Sequence, residues 1–395
     1  MNTDAMKPDM PDPAPALFRI FLSFFRLGLT AFGGPSMIAY IRRMSVEKKH
    51  WLDPETFKAG VALCQVIPGA TAMQAAAYVG LKARGTIGAA AAFVGFGLPA
   101  FLFMMVLSSL YSRYQDLPAA ISLFAGLQAI IVGIVANAAL SFGGGTLKGW
   151  RDLFIAGGAA LLFALHVSPI LVIVLAALTG LLITGEGSKK QGPAAVPSPG
   201  HPSTQRKFGL LVAGAAVFFL LLFFLQRSLF DLAILMSKID LFAFGGGFGS
   251  IPLMLHELVD VRGWLDDRTF MNGIILGQVT PGPIVITATF VGYLLYGIPG
   301  GVIATVGVFL PSFVMVIGIE PYFERLRSSP SFSRAIHGIL CSFVGLLLRV
   351  VGHFAADVRW DVPHLFLFAA TFIALFLKVD ILWVFLAGTA IALLL

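Results

Sequence analysis

Two short segments carry residues that could bind an anion in an apolar environment. Residues 278–283 read QVTPGP and residues 65–69 read QVIPG, and both lie within long apolar runs. Proline removes a backbone donor and glycine weakens a helix, so each segment should break one. The break exposes backbone N–H groups, which bind anions at helix N-termini. The candidate binding positions are Gln65, Pro68, Gly69, Gln278, Thr280, Pro281, Gly282 and Pro283. A plain structural kink is the alternative.

Charged residues inside apolar runs form a second group of candidates. Arg26 lies midway along the first apolar run, and Lys238 occupies the corresponding position of a later run. Charge inside a membrane is costly and often functional, and two such cations would suit a small divalent anion. Asp240 and Glu257 are the candidates for carrying a coupling proton. The alternative is that both cations extend to the membrane surface, or that Lys238 and Asp240 compensate each other.

Glycine clusters at Gly33 and Gly34 and at Gly245 and Gly246 form a third feature. No strand precedes them and no Lys-Ser/Thr pair follows, which excludes a phosphate-binding loop. Close helix packing and exposure of backbone to a ligand both fit them. The histidines and cysteines show no metal-ligand spacing, and no nucleophile, base and orienting residue fall into a pattern. We therefore expect no catalysis, no cofactor and no metal.

The composition places these features in a membrane. The chain has 395 residues, 58% of them hydrophobic and 12% charged, whereas soluble domains carry about 25% charged residues. Apolar runs of about 20 residues predict about thirteen passes. The net charge of +7 is scattered through short segments, a pattern that suits membrane orientation and not nucleic-acid binding. The predicted fold class is an all-α polytopic membrane protein.

The chain contains two copies of one unit. The segment AFGG at 31–34 recurs at 243–246, WLD at 51–53 recurs at 264–266, and the Gln-x-x-Pro-Gly motif at 65–69 recurs at 278–282. Such self-similarity predicts two homologous repeats of about six helices each. The predicted divisions are a disordered cytoplasmic tail at 1–16, a first repeat at 17–184, a flexible linker at 185–207, a connecting transmembrane helix at 208–228 and a second repeat at 229–395.

Basic residues predict that the two repeats are inverted relative to each other. The loop with Lys82 and Arg84 is uncharged in the second copy, while the loop with Arg113 becomes strongly basic there. The positive-inside rule then places the copies in opposite orientations, as one extra connecting helix requires. Basic residues between positions 42 and 58 disagree with this scheme. Either they lie on an interfacial stretch, or the Gln65 segment re-enters the membrane.

The duplicated Phe-Gly-Gly, Trp-Leu and Gln-x-x-Pro-Gly motifs resemble those of the long-chain chromate ion transporter family. The resemblance covers the chain apart from the tail, the linker and the connecting helix. It implies a multi-pass secondary transporter that exports chromate across the bacterial inner membrane and confers chromate resistance. The first copy has Ala70 where the second has Pro283, so the halves need not contribute equally. The family's motif positions fall on Gly33, Gly34, Gln65, Pro68, Gly69, Gly245, Gly246, Gln278, Pro281, Gly282 and Pro283.

Two alternatives stay open at this point. A carrier of sulfate or another oxyanion, working in either direction, would need the same tetrahedral dianion site. An intramembrane enzyme or lipid-handling protein is less favoured, because it requires a catalytic pair at the membrane face. The expected partners are the chromate or sulfate anion and the lipid bilayer, with a homodimer left open and no nucleic acid.

Overall fold

The described part of the chain is helical throughout. A computed structural model describes residues 15–32, 36–183 and 202–393, and every long regular element in these ranges is a helix. The predicted all-α architecture is therefore confirmed in these residues. The predicted tail at 1–16 and linker at 185–207 lie largely outside them.

The first half runs from α1 to α7, and α2 continues into a π-helical segment, Arg43–Lys48. The helices are α1 (Leu17–Thr30), α2 (Ser36–Arg42), α3 (Pro54–Val66), α4 (Thr71–Tyr114), α5 (Pro118–Thr146), α6 (Trp150–Ala164) and α7 (Pro169–Ile183).

The second half repeats this order after a connecting helix, and α10 also continues into a π-helical segment, His256–Val261. The helices are α8 (Pro202–Leu225), α9 (Arg227–Phe242), α10 (Ser250–Leu255), α11 (Asp267–Val279), α12 (Thr287–Ile319), α13 (Phe323–Arg327), α14 (Pro330–Asp357), α15 (Val362–Phe376) and α16 (Ile381–Ala392).

Each half contains a helical hairpin built around its Pro-Gly break. In the first half α3 folds back onto the start of α4, so that the Tyr78 hydroxyl donates to the Thr56 carbonyl oxygen at 3.3 Å. In the second half α11 folds back onto the start of α12, and the Thr287 hydroxyl reaches the Gly273 carbonyl oxygen at 3.4 Å. We call these hairpin 1 (54–83) and hairpin 2 (267–295), with tips at residues 67–70 and 280–283.

A sharp turn ends each hairpin. Gly85 has φ of 66° and Gly297 has φ of 62°, a left-handed region that glycine adopts without steric cost. Beyond the turn the chain reverses, and a Cβ atom on Gly80 would lie 2.2 Å from the Gly88 carbonyl oxygen. Glycine is therefore needed at Gly80 as well, because the two backbones touch there.

Helix lengths separate spanning segments from half-spanning ones. The 13 residues of α3 extend only about 20 Å, whereas the hydrocarbon core is about 30 Å thick. Helix α3 is therefore too short to cross a bilayer by itself. Five described helices are long and apolar enough to cross by themselves. The count of about thirteen passes stays a prediction.

The second parts of α4 and α12 pack along each other in opposite directions. Lys82, just before the turn that leads into this part of α4, forms an ion pair with Glu320, the residue that follows α12. Further along, the ring centroids of Phe93 and Phe309 lie 6.2 Å apart. At the other end, a Cβ atom on Gly301 would lie 2.5 Å from the Met105 sulfur. The two helices are therefore antiparallel.

The halves also exchange their last helices. The short pair α6 and α7 packs on α14 of the second half, and a Cβ atom on Gly345 would lie 2.0 Å from the Ala156 carbonyl oxygen. The matching pair α15 and α16 packs on α5 of the first half, with Gly126 against Ala392. Small residues permit this close approach, which is how membrane helices associate without a hydrophobic driving force. Neither half completes its own packing alone.

Candidate functional site

The repeated Trp-Leu-Asp motif starts each hairpin. Asp53 caps α3 by accepting a hydrogen bond from the Thr56 N–H at 2.9 Å, and Asp266 caps α11 by accepting from the Thr269 N–H at 2.7 Å. The hydroxyl and N–H of Thr56 both donate to Asp53 and hold the pKa of its carboxyl below its usual range. The motif therefore fixes where the first helix of each hairpin begins.

The tip of each hairpin is a turn that requires glycine. Helix α3 ends at Val66, and Gly69 follows Pro68 with φ of 110°. Gly282 takes the same conformation after Pro281, with φ of 123°. Side chains other than glycine rarely adopt these angles. The Pro-Gly pair thus ends one helix and reverses the chain inside the membrane.

Each tip is held by the opposite half of the molecule. The Gly69 N–H donates to the Ala243 carbonyl oxygen at 2.8 Å, and the Gly282 N–H donates to the Ala31 carbonyl oxygen at 3.0 Å. Ala31 and Ala243 are the first residues of the two AFGG segments. The two duplicated motifs therefore meet across the repeats, and each pairing satisfies a backbone group that lipid could not.

The two tips face a common cavity of about 650 Å³. Its polar wall comes from both hairpins and from α5, while Phe142 and Phe248 supply aromatic surface. Its described lining contains no charged side chain. The lining residues are Met37, Ile38, Gln65, Ala70, Thr71, Ala72, Ser141, Phe142, Gly145, Thr146, Gly245, Gly246, Gly247, Phe248, Gln278, Thr280, Gly282, Pro283, Ile284 and Leu340.

Hydrogen-bond donors in this wall lack acceptors. The Nε2 atom of Gln278 is buried and has no hydrogen-bond partner in the described residues. No side chain caps the start of α4 at Ala70, so the N–H groups of its first turn, at Thr71 and Ala72, have no helical acceptor. The helix dipole places partial positive charge at the same point. Chemically, the cavity can accept an anion without a formal counter-charge.

A buried carboxylate holds the tip of hairpin 1 from behind. Asp240 accepts from the Ser312 N–H at 2.8 Å and from the Ser312 hydroxyl at 3.1 Å. The Ser312 oxygen in turn accepts from the Ala70 N–H at 3.1 Å and from Gln74 Nε2 at 3.3 Å. Gln74 Nε2 also donates to the Pro68 carbonyl oxygen at 2.5 Å. This network, which we call the tip-1 network, joins hairpin 1 to α9 and α12.

The structure gathers many, but not all, of the residues that sequence selected. Pro68, Gly69 and Pro281 lie in the tips themselves, and Gly33 and Gly34 fall outside the described residues. Those that line the cavity are Gln65, Gly245, Gly246, Gln278, Thr280, Gly282 and Pro283.

The four charged residues selected from the sequence lie outside the cavity lining. Lys238 forms an ion pair with Glu257 at 2.6 Å, and Arg26 lies in a separate pocket on α1. Neither cation lines the cavity, because both occupy a face of their helix that turns away from the tips. Asp240 lies behind tip 1 and outside the cavity lining.

Sequence reasoning missed Gln74 and Ser312. Ser312 corresponds to Ala100 in the first repeat, and Asp240 corresponds to Gly28. The available signal was that the aligned repeats have a polar residue in the second copy and a small apolar residue in the first. Such a difference indicates a contact that only one of the two tips makes.

Two groups of side chains outside the cavity have the composition of metal ligands. Asp152, His337 and Cys341 form one group, and Asp267, His353 and Asp357 form the other. In each group a histidine already bonds an aspartate, at 2.9 Å for His337 and 2.7 Å for His353. These bonds attach α6 and α11 to α14, and the groups have no part in the cavity.

The sequence model of a family described as chromate transporter matches the chain twice, at residues 18–181 and 230–393. An uncharacterized transporter of Methanocaldococcus jannaschii is 44% identical over 94% of this chain and 92% of its own length. A chromate transport protein of Cupriavidus metallidurans is 30% identical over 93% of this chain and 89% of its own length. A chromate transport protein of Pseudomonas aeruginosa is 30% identical over 92% and 86%. No solved structure matches significantly.

The tip-1 network predicts the effect of removing one hydroxyl. Ser312→Ala leaves the Ala70 N–H and the Asp240 carboxylate short of partners, so we expect a loss of about 2 kcal/mol in the free energy of unfolding in detergent. Ser108→Ala is the control, because this buried hydroxyl donates only to the Met104 carbonyl of its own helix at 2.7 Å. Equal losses in the two variants would contradict the role of the network.

Proposed function

The chain belongs to the chromate transporter family, and from that premise we propose that it carries chromate through the cavity between the two hairpin tips. It is a membrane transporter and not an enzyme, as its relatives are transporters. We further propose that it exports chromate across the inner membrane of a bacterial cell and so confers resistance. The observation that carries the proposal is the uncharged cavity with unpaired N–H donors from both repeats.

The chemistry of the cavity fits a tetrahedral dianion. Chromate offers only acceptor oxygens, and the wall offers the amide of Gln278, the hydroxyls of Thr71 and Ser141, and free backbone N–H groups. Donors of this kind bind oxyanions at helix N-termini without a fixed positive charge. A neutral site has a further advantage for transport, since the anion must leave as well as enter.

The arrangement of the hairpins supports alternating access between inverted repeats. The antiparallel packing of α4 and α12, and the reciprocal bonds Gly69–Ala243 and Gly282–Ala31, match the symmetry of transporters whose half-helices meet near the midplane. In this proposal one repeat rocks against the other. The hydrogen bonds between each tip and the opposite half break and re-form during the cycle. The anion stays beside the tips while access changes sides.

Export needs no coupled ion in principle. A dianion is driven out of the cell by the inside-negative potential, at about 2.3 kcal/mol per charge per 100 mV. If protons contribute, Asp240 is the better candidate, because protonation there would weaken its hold on tip 1. Glu257 is already paired with Lys238 at 2.6 Å and with Arg262 at 3.7 Å. Sulfate has the same charge and shape as chromate, so it is the natural competitor.

Gln278 provides the most direct test of the transport site. In inverted membrane vesicles, which present the cytoplasmic face outward, the wild type should take up chromate and sulfate should compete. Gln278→Ala should lower uptake at low chromate about tenfold, since a hydrogen bond to a charged group contributes about 1.5–3 kcal/mol. Gln278→Glu should abolish uptake by repelling the dianion.

Gln226→Ala is the matched control, because this exposed glutamine precedes α9 and lies outside the cavity. It should leave uptake unchanged. Full uptake by both Gln278 variants would refute the site. Absence of uptake by the wild type would refute chromate transport itself.

The inverted arrangement makes a separate prediction about topology. Lys82 and Arg84 precede the turn at Gly85, and the matching turn in the second half lies at Gly297. We expect a reporter inserted after Gly85 to be cytoplasmic and one inserted after Gly297 to be outside. Two cytoplasmic signals would rule out inversion.

A further inference from the structure

We infer that the first half carries a second binding pocket for an oxyanion group, separate from the central cavity. It is a pocket of about 330 Å³ between α1 and the helical segment 36–48. The inference does not rest on which anion is transported. Its lining residues are Ser23, Arg26, Leu27, Thr30, Tyr40, Arg43, Met44, Lys48 and Lys49. We call it the basic pocket.

The basic pocket concentrates positive charge. Four of its lining residues are cations, namely Arg26, Arg43, Lys48 and Lys49, and none is acidic. Within the described residues none of these four forms an ion pair. Glu47 is the acidic residue of the segment, and it pairs with Arg42 at 3.1 Å on an exposed face. The pocket therefore has no counter-charge of its own.

The second half provides an internal comparison. Lys238 corresponds to Arg26, and there Glu257 neutralises it at 2.6 Å and also meets Arg262 at 3.7 Å. The residue of the first half that corresponds to Glu257 is Met44, which lines the basic pocket. The same fold thus occurs once with an acid at this place and once with a methionine. The half with the methionine is the one that has the basic pocket.

Four exposed cations around one pocket without a counter-charge attract an anion, because a concave surface lined by one sign of charge concentrates counter-ions. The hydroxyls of Ser23, Thr30 and Tyr40 add hydrogen-bonding groups. Cations with hydroxyls bind tetrahedral oxyanions by charge-assisted hydrogen bonds. The ligand is either the phosphate of an anionic phospholipid or a free oxyanion, since basic pockets of this kind bind lipid head groups.

The basic pocket lies beside the moving parts of the site. Met37 and Ile38 of α2 line the central cavity, whereas Tyr40 of the same helix lines the basic pocket. At the end of α1, the Ala31 carbonyl oxygen holds tip 2 through the Gly282 N–H at 3.0 Å. An anion in the basic pocket would therefore order α1, which leads to the bond with tip 2, and α2, which lines the central cavity.

Binding to the purified full-length protein tests the inference with two probes. Native mass spectrometry should show preferential retention of phosphatidylglycerol over phosphatidylethanolamine if the ligand is a lipid. Calorimetry with sodium sulfate, in a Gln278→Glu background whose central cavity repels the dianion, should show binding if the ligand is a free oxyanion. For the probe that binds, Arg26→Gln with Arg43→Gln should weaken affinity about 30-fold. Met44→Glu, which copies the second half, should weaken it by a similar factor.

Lys58→Gln with Arg113→Gln is the matched control, because it removes the same charge at two exposed residues outside the basic pocket. It should leave affinity unchanged. Failure of the protein with an intact basic pocket to bind either probe would overturn the inference, and so would equal affinity with and without the pocket substitutions. Should either pocket variant fail to fold, the other decides.

Discussion

The structure depends on one constraint, that a backbone broken inside a membrane must find partners within the protein. Gly69 and Gly282 break two helices, and each N–H donates to a carbonyl oxygen in the opposite half, at 2.8 Å and 3.0 Å. Neither half can satisfy its own break. The Pro-Gly tip of each half therefore binds the AFGG segment of the other half. The central cavity lies between these two contacts.

The two contacts are not equivalent. Behind tip 1, Asp240 and Ser312 form a hydrogen-bonded network, whereas a Cβ atom on Gly282 in tip 2 would meet only the methyl group of Ala100, at 2.7 Å. Hydrogen-bonded networks of buried polar groups fix geometry, and in this one Gln74 Oε1 is the side-chain atom without a partner in the described residues. In the transport cycle that we propose, tip 1 is the better anchored element. The basic pocket lies beside α1, which leads to the Ala31 carbonyl oxygen that holds tip 2.

Much of this organisation could be predicted from the sequence, because helix breaks and their duplication depend on local residue types. The Gln-x-x-Pro-Gly motifs do form the tips, and Gln278 and Thr280 do line the cavity. The roles of Arg26 and Lys238 could not be predicted, since the face of a helix on which a cation lies depends on packing against distant helices. The same holds for the exchange of α6 and α7 onto α14, which no local pattern records.

The central claim is that a tetrahedral dianion binds between the hairpin tips. A structure of the protein determined by electron cryomicroscopy with molybdate, a redox-stable tetrahedral dianion, tests it most directly. We expect density for one anion within hydrogen-bond distance of Gln278 Nε2 and of the N–H groups that begin α4. An empty central cavity under saturating molybdate, with the anion bound only in the basic pocket or absent altogether, would contradict it.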